Sequence, residues 1–164
     1  MENERTREDD YKEFADLLNK HGVAYLIVGA YAVIYHTGIA RDTKDINFWI
    51  RPTAENAGKC AEAIREFCGL ELKKEDLLED KIFFIGREPH RLDIFNSQGT
   101  LDFEKAWEKK DDGKFLKVNV HYISREDLAS VKQRFNREQD RKDLARLNRK
   151  PGKDPVNEEP YDRQ

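Results

Sequence analysis

The sequence predicts a mixed α/β (α+β) domain, with a mostly antiparallel sheet flanked by helices. Apolar residues recur at helical spacing near the N-terminus and again after residue 124. The middle of the chain instead carries short apolar runs that are separated by turn residues, which is typical of strands. The chain of 164 residues is long enough to bury a substantial core. We therefore expect a single domain over residues 1–149.

The first half of the chain is predicted to alternate helices and strands. The apolar residues between Tyr11 and Leu18 have the spacing of an amphipathic helix, and Gly29 separates an apolar strand from a short apolar helix. Thr53 is a favourable helix N-cap, because its hydroxyl accepts a backbone N–H. The predicted elements are a helix over 7–20, a strand over 23–28, a helix over 30–36, a strand over 45–50 and a helix from Thr53 to about Phe67.

The second half is predicted to be richer in strands and to end in helices. Pro89 marks a turn between two strands, and Asp112-Gly113 marks a turn before a third. Ser124 and Asp140 are the expected N-caps of two final helices. The predicted elements are strands over 81–86, 91–96 and 115–123, a helical turn over 103–107, and helices after residues 124 and 140. Residues 150–164 are polar and contain three prolines, which predicts a disordered tail.

Composition and charge argue against several classes of protein. The 30 basic and 33 acidic residues give a net charge of −3, so there is no general attraction to nucleic acid or to a membrane surface. No stretch approaches the roughly 20 apolar residues of a membrane span, and the N-terminus is too polar for a secretory signal. Cys60 and Cys68 would lie roughly 12 Å apart on one helix, too far for a disulfide. These features predict a cytoplasmic protein.

Gly29 lies between a predicted strand and a predicted helix, where a glycine has two interpretations. A glycine there lets backbone N–H groups approach a phosphate, and the helix N-terminus adds a favourable dipole. The alternative is a simple turn from strand to helix, which is a common use of glycine. The residue by itself does not separate the two.

Three oxygen-bearing side chains stand out within predicted strands. Asp45 and Asn47 lie two residues apart, so they point to the same face of their strand, and Asp93 lies within another strand. Aspartate is disfavoured in strands, and a hard cation such as Mg²⁺ prefers oxygen ligands. If the strands are neighbours, the three side chains converge at one site. The alternative is that each residue simply faces water.

The segment from Gly29 to Ile50 resembles the core of the DNA-polymerase-β-like nucleotidyltransferases. Their pattern is a glycine followed by glycine or serine, then Arg-x-Thr-x-Asp-x-Asp, with a third aspartate on a later strand. The matching residues of this chain are Arg41, Thr43, Asp45 and Asp93. Ala30 replaces the second glycine or serine, and Asn47 replaces the second aspartate.

The resemblance extends to the C-terminal part of the chain. Lys132 and the segment Asp140-Arg141-Lys142-Asp143-Leu144 are similar to elements of the AbiEii-toxin-like branch. There the lysine helps to hold the nucleotide and the aspartate supports the site. The alternatives are that Lys132 is a solvated helix residue, that Asp140 is an N-cap, and that Asp143 interacts with the helix dipole.

The resemblance implies a nucleotidyltransferase fold and transfer of a nucleoside monophosphate from an NTP by two-metal chemistry with Mg²⁺ or Mn²⁺. Asp45, Asn47 and Asp93 would be the catalytic and metal-binding residues. The nucleotide-binding residues would be Gly29, Ala30, Arg41, Thr43, Lys132 and Asp143. The implied acceptor is tRNA or a small hydroxyl-bearing molecule, and a toxin of this branch would have a cognate antitoxin as partner.

Asn47 opens three explanations: a natural pseudoenzyme, an introduced inactivating change, or an active variant that uses one main metal. An amide lacks the charge and one acceptor oxygen of a carboxylate, so activity is expected to fall. The alternative function is therefore an inactive module that binds a nucleotide or a partner. A third interpretation is an α/β interaction domain with accidental motif matches. A basic segment over 134–150 is interleaved with acidic residues, which favours a solvated helix face over an RNA contact.

Overall fold

The computed structural model describes residues 4–149 and contains one six-stranded mixed sheet with helices packed against it. The predicted α/β class is therefore confirmed. The helices are α1 (Arg7–Lys20), α2 (Gly29–Thr37), α3 (Ala54–Cys68), α4 (Phe103–Glu108), α5 (Arg125–Phe135) and α6 (Glu138–Leu147). The strands are β1 (Tyr25–Val28), β2 (Asp45–Ile50), β3 (Phe83–Ile85), β4 (Arg91–Phe95), β5 (Asp111–Phe115) and β6 (Val118–Tyr122). A short 3₁₀ helix at Lys74–Leu77 was not predicted.

The strand order is β3-β4-β2-β1-β6-β5. The pairs β2–β4 and β1–β6 are parallel, and the other three pairs are antiparallel. The register aligns Val28 with Asn47, Asn47 with Asp93, and Asp93 with Phe84. Because residues directly opposite each other in a sheet project from the same face, these four side chains form one row across four strands.

Several helix ends follow from the capping residues that the sequence predicts. The hydroxyls of Thr53 and Ser124 accept hydrogen bonds from the backbone N–H groups of Asn56 and Asp127, so both N-caps are confirmed. The prediction for Asp140 is wrong. Helix α6 begins at Glu138 and its N-cap is Arg137, three residues before the predicted one, and the Asp140 carboxylate accepts a hydrogen bond from the N–H of Arg137.

The predicted strand over 115–123 is present as the shorter β6, but the predicted turn at Asp112-Gly113 is wrong. Gly113 lies inside β5, and the hairpin turn is at Leu116 and Lys117, which adopt φ angles of 49° and 75°. A β-carbon at Gly113 would lie 2.6 Å from the Tyr35 ring. The glycine is therefore needed for close packing within a strand and not for a turn.

The core is built from large aromatic and aliphatic side chains of the sheet and its helices. Tyr11 and Phe14 of α1 pack against Tyr31 and Phe48, and all four are buried. No helix among residues 4–149 is long and apolar enough to span a membrane. The predicted polar tail at 150–164 lies outside the described residues.

Candidate functional site

A cleft of about 420 Å³ lies where one face of the sheet meets α5. It brings together five of the residues that the sequence predicts for the site: Gly29, Asp45, Asn47, Asp93 and Lys132. The other four, namely Ala30, Arg41, Thr43 and Asp143, do not line this cleft. The convergence follows from the parallel pairing of β2 with β4, which aligns Asn47 with Asp93 and Asp45 with Arg91.

Arg91 links the two aspartates of the cleft. Its Nη2 donates hydrogen bonds to Oδ2 of Asp45 at 2.8 Å and to Oδ2 of Asp93 at 3.1 Å, and its Nε donates to Oδ1 of Asp93 at 2.7 Å. One nitrogen atom therefore reaches both carboxylates. Arg91 is not among the site residues predicted from the sequence. It lies two residues before Asp93 in β4, which places both side chains on one face of the strand.

The surroundings of Asp45 oppose its ionisation. Partial burial and the neighbouring charge of Asp93 raise the pKa of Asp45, and the guanidinium of Arg91 only partly offsets them. The site therefore holds two acidic groups that repel each other and one arginine, so a net charge of −1 remains when both carboxylates are ionised. Such an arrangement favours a cation between the carboxylates.

Asn47 is packed against the backbone of Gly29. A β-carbon built on Gly29 would lie 2.2 Å from Nδ2 of Asn47, and Gly29 adopts a φ of +72°, which favours glycine. Oδ1 of Asn47 is buried and accepts no hydrogen bond from any residue in the described part of the chain. A buried acceptor without a partner is costly, so a cation or a hydrogen-bond donor that reached this oxygen would remove that cost.

The N-terminus of α2 opens onto the same cleft through Gly29. The residue before the helix is Val28, which makes no side-chain capping hydrogen bond, and the first turn has no acidic residue. The backbone N–H groups of a helix start are suited to anions such as phosphates when no side chain caps them. Ala30 is buried in this first turn.

Arg41 and Thr43 border a second hollow of about 560 Å³ on the other side of Asp45. Nε of Arg41 donates to Oδ1 of Asp143 at 2.9 Å, and Oγ1 of Thr43 donates to the carbonyl oxygen of Asp45 at 2.9 Å. Arg7, which also lines this hollow, donates to the carbonyl oxygen of Thr43. Arg41 and Thr43 thus hold the loop that leads into β2.

Lys132 belongs to a buried group of charges between α5 and α6. Its Nζ lies 3.0 Å from Oδ2 of Asp143 and 3.3 Å from Oδ1 of Asp140. The interpretation of Lys132 as a solvated residue is therefore wrong, because its side chain is only 8% exposed. Arg137 closes the group with a 2.6 Å salt bridge to Asp140. Through Asp143 the same group reaches Arg41, so it connects the two hollows.

The donor set of the cleft fits one divalent cation. The carboxylates of Asp45 and Asp93 and the unpaired Oδ1 of Asn47 are all oxygen ligands, which Mg²⁺ and Mn²⁺ prefer. Arg91 already places a positive group between the two carboxylates. Within residues 4–149 there is no cluster of three or more His, Cys, Asp or Glu residues that could hold a metal. The reason is that the third oxygen donor beside Asp45 and Asp93 is the amide of Asn47 and not a carboxylate.

Comparisons with known proteins show a similarity of fold to two solved structures. No protein-family model and no curated protein matches the sequence. An antigenic nucleotidyltransferase-like protein from Paracoccidioides brasiliensis is similar in structure, with a TM-score of 0.59 and 14% identity over 86% of this chain and 74% of that one. The lincosamide antibiotic adenylyltransferase LnuA, solved with lincomycin bound, gives a TM-score of 0.52 and 16% identity over 88% of this chain and 98% of LnuA. At these identities the likeness concerns the fold, and this chain has the fold of nucleotidyltransferase-like proteins.

Proposed function

We propose that this protein transfers a nucleoside monophosphate from an NTP to the hydroxyl group of an acceptor. The observation that carries the proposal is the alignment of Asp45, Asn47 and Asp93 in one cleft, beside the uncapped start of α2. Phosphoryl-transfer chemistry requires backbone N–H groups that bind the phosphates and oxygen ligands that bind a cation, and this cleft has both. The similarity of the fold to an antibiotic adenylyltransferase supports the same proposal.

In this reaction the residues at the start of α2 would bind the phosphates, and those of β2 and β4 would bind the cation. The N–H groups at the start of α2 would bind the phosphates, and the absence of a side chain at Gly29 permits close approach. Asp45, Asp93 and Oδ1 of Asn47 would hold one Mg²⁺ or Mn²⁺ ion, which supplies positive charge to the transferring phosphoryl group when bound. To make room for it, the guanidinium of Arg91 would leave the carboxylates.

The reaction would proceed by displacement at the α-phosphate. A bond forms between the acceptor oxygen and the α-phosphorus, and the bond from that phosphorus to the bridging oxygen of the β-phosphate breaks. Pyrophosphate leaves with the electron pair of the broken bond. Asp93 is a buried carboxylate of the cleft, in the same row as Asn47, and would accept the proton of the acceptor hydroxyl.

A second candidate function is a nucleotide-binding module without catalysis. Two observations favour it: the neutral amide of Asn47 and the ion pairs that Arg91 makes with both aspartates. A module of this kind would bind the nucleotide at the start of α2 and leave the carboxylates bound to Arg91. A toxin-like protein that acts on tRNA and pairs with a cognate antitoxin is the subclass that the sequence resemblance adds.

The proposal is tested with α-³²P-labelled NTPs, Mg²⁺ or Mn²⁺, and either total tRNA or a set of small alcohols. We expect label to move to an acceptor and pyrophosphate to be released. The matched control is Asp93→Asn, which keeps the shape of the side chain and removes the proton acceptor. A rise in melting temperature with Mg²⁺ and NTP but no transfer would favour the binding module. Absence of both effects with all four NTPs would reject both candidates.

A further inference from the structure

The mouth of the cleft is unusually apolar. Four large hydrophobic side chains are exposed among residues 4–149, and three of them line this one cleft. They are Ile82 at 49%, Phe84 at 53% and Phe135 at 45% exposure. Isolated exposed hydrophobic residues are ordinary, whereas a group of them around a polar cleft is typical of a binding site. The fourth, Leu70, lies outside the cleft.

Phe84 and the start of α2 lie at opposite ends of the cleft. In the row across the sheet, Phe84 is directly opposite Asp93, and Val28, which precedes Gly29, is at the other end of the row. The phosphate-binding start of α2 is thus on one side of Asn47 and Asp93, and the apolar mouth is on the other. A group that receives the nucleotide must approach the α-phosphate from the side opposite to the leaving pyrophosphate. The apolar mouth is on that side.

Arg91 connects the apolar mouth to the carboxylates. Its guanidinium carbon lies 4.4 Å from the centroid of the Phe84 ring, while its nitrogen atoms bind Asp45 and Asp93. Arg137 lies similarly over Phe135, at 5.3 Å. Each ring therefore has an arginine against it, and this cation–π contact holds the exposed side chain in place.

The charges of the cleft argue against a polyanionic acceptor. Of the three cationic residues that line it, Lys132 is in salt bridges with Asp140 and Asp143 and Arg137 with Asp140, and only Arg91 would be released when a cation takes its place at Asp45 and Asp93. An RNA backbone is bound through cations that are free to pair with phosphates. The volume of about 420 Å³ lies within the range of pockets for small molecules.

We propose that Ile82, Phe84 and Phe135 bind the acceptor, and that the acceptor is a small alcohol with an apolar ring. The ring would pack on the two phenylalanine side chains and so bring its hydroxyl to Asp93. The inference rests on the proposed function, because only transfer makes the bound alcohol an acceptor. The residues that determine specificity for the acceptor would then be on β3, directly before it, and at the end of α5.

The experiment measures binding without requiring transfer. Saturation-transfer NMR is recorded with cyclohexanol and 2-phenylethanol as ring-bearing alcohols, with glycerol as an alcohol without a ring, and with total tRNA as competitor. We expect signals from the ring-bearing alcohols that fall at least fivefold in Phe84→Ala and in Phe135→Ala. The matched control is Leu70→Ala, which removes the exposed hydrophobic residue outside the cleft and should leave the signals unchanged. Equal melting temperatures of the three variants would show that the fold is intact.

Three outcomes would overturn the inference: glycerol signals equal to those of the ring-bearing alcohols, signals that persist in the Phe84→Ala Phe135→Ala double variant, or displacement of the alcohols by tRNA. The last outcome would assign the apolar mouth to an RNA base. A different result would reject the proposed function without rejecting the binding site. If the phenylalanine variants lose binding while the unsubstituted protein transfers no nucleotide, the binding site stands and the transfer reaction is rejected.

Discussion

Gly29 and Asn47 approach each other so closely that a β-carbon on Gly29 would lie 2.2 Å from Nδ2 of Asn47. This contact fixes the amide at the point where β1 passes into α2. With Nδ2 directed to Gly29, the opposite atom, Oδ1, is buried without a hydrogen-bond partner from residues 4–149. The contact therefore joins the proposed phosphate site to the proposed cation site.

We predict that Gly29→Ala destabilises the protein and weakens nucleotide binding. The φ of +72° costs a residue with a β-carbon about 1–2 kcal/mol, and the displacement of Asn47 adds to that. Urea unfolding and the rise in melting temperature with Mg²⁺ and NTP measure the two effects. The control is Gly58→Ala in α3, where a β-carbon meets no atom within 4 Å and should stabilise by about 0.5–1 kcal/mol.

Arg91→Met should increase the affinity for Mg²⁺ and Mn²⁺ while lowering stability in metal-free buffer. The arginine is the counter-ion of Asp45 and Asp93, and its removal leaves two carboxylates that repel each other. A divalent cation then no longer competes with the guanidinium of Arg91 for the two carboxylates. Calorimetric titration with Mn²⁺ alone measures the affinity, and we expect it to rise about tenfold. The control is Arg87→Met, which removes an exposed arginine before β4. If Arg91→Met leaves the Mn²⁺ affinity unchanged, the cation site is contradicted.

Lys132→Met is predicted to destabilise the protein strongly. It leaves Asp140 and Asp143 buried with one cation fewer, and breaking a buried ion pair by removing one partner typically costs about 3–5 kcal/mol. Equilibrium unfolding in urea measures the loss. The comparison is Lys142→Met, since Lys142 is exposed on α6 and its replacement should change the free energy of unfolding by less than about 0.5 kcal/mol. Equal effects of the two substitutions would reject a structural role for the buried charges.

Asp140 should contribute a pH-dependent part of the stability. Burial raises its pKa, but hydrogen bonds from Arg137 and the charge of Lys132 outweigh burial, so the net pKa is below the ordinary 3.8. A carboxyl whose pKa is lowered by folding stabilises the protein above its unfolded pKa and loses that contribution as the pH falls through the folded value. Asp140→Asn should therefore be less stable than the unsubstituted protein at pH 6, and the gap should narrow below pH 3.8. A gap that stays constant down to acid pH would show that the charge of Asp140 is not involved.

The convergence of Asp45, Asn47 and Asp93 could be predicted because it follows from two local rules. Side chains two residues apart in a strand share a face, and aspartate within a strand is unusual enough to mark a site. The pairing of β2 with β4 then completes the row. Arg91 also shares a face with Asp93, because it is two residues away in the same strand. An arginine in a strand is not unusual enough, however, to mark a site. The role of Arg91 depends on Asp45, which is 46 residues away.

The features that escaped prediction depend on contacts between distant segments. Lys132 has the sequence context of an exposed helix residue, and only the packing of α6 buries it against Asp143. The β5–β6 turn uses Leu116 and Lys117 at positive φ, whereas a hairpin turn is usually signalled by glycine or asparagine. The nearby Gly113 is instead explained by the Tyr35 ring, which the local sequence does not reveal.

Asn47→Asp should create nucleotidyl transfer or raise it at least tenfold, which corresponds to about 1.4 kcal/mol of transition-state stabilisation. The new carboxylate would complete the donor set beside Asp45 and Asp93 and offset the charge of the bound cation. Without metal it should lower stability, because three neighbouring carboxylates repel and each unit of raised pKa costs about 1.4 kcal/mol. Mg²⁺ should restore that loss. Transfer and melting temperature are therefore measured together, each with and without Mg²⁺, and compared with Asn119→Asp, which adds the same charge at an exposed position on β6. If the variant stays inactive and its stability responds to Mg²⁺ no more than that of Asn119→Asp, the assignment of the cation site is wrong.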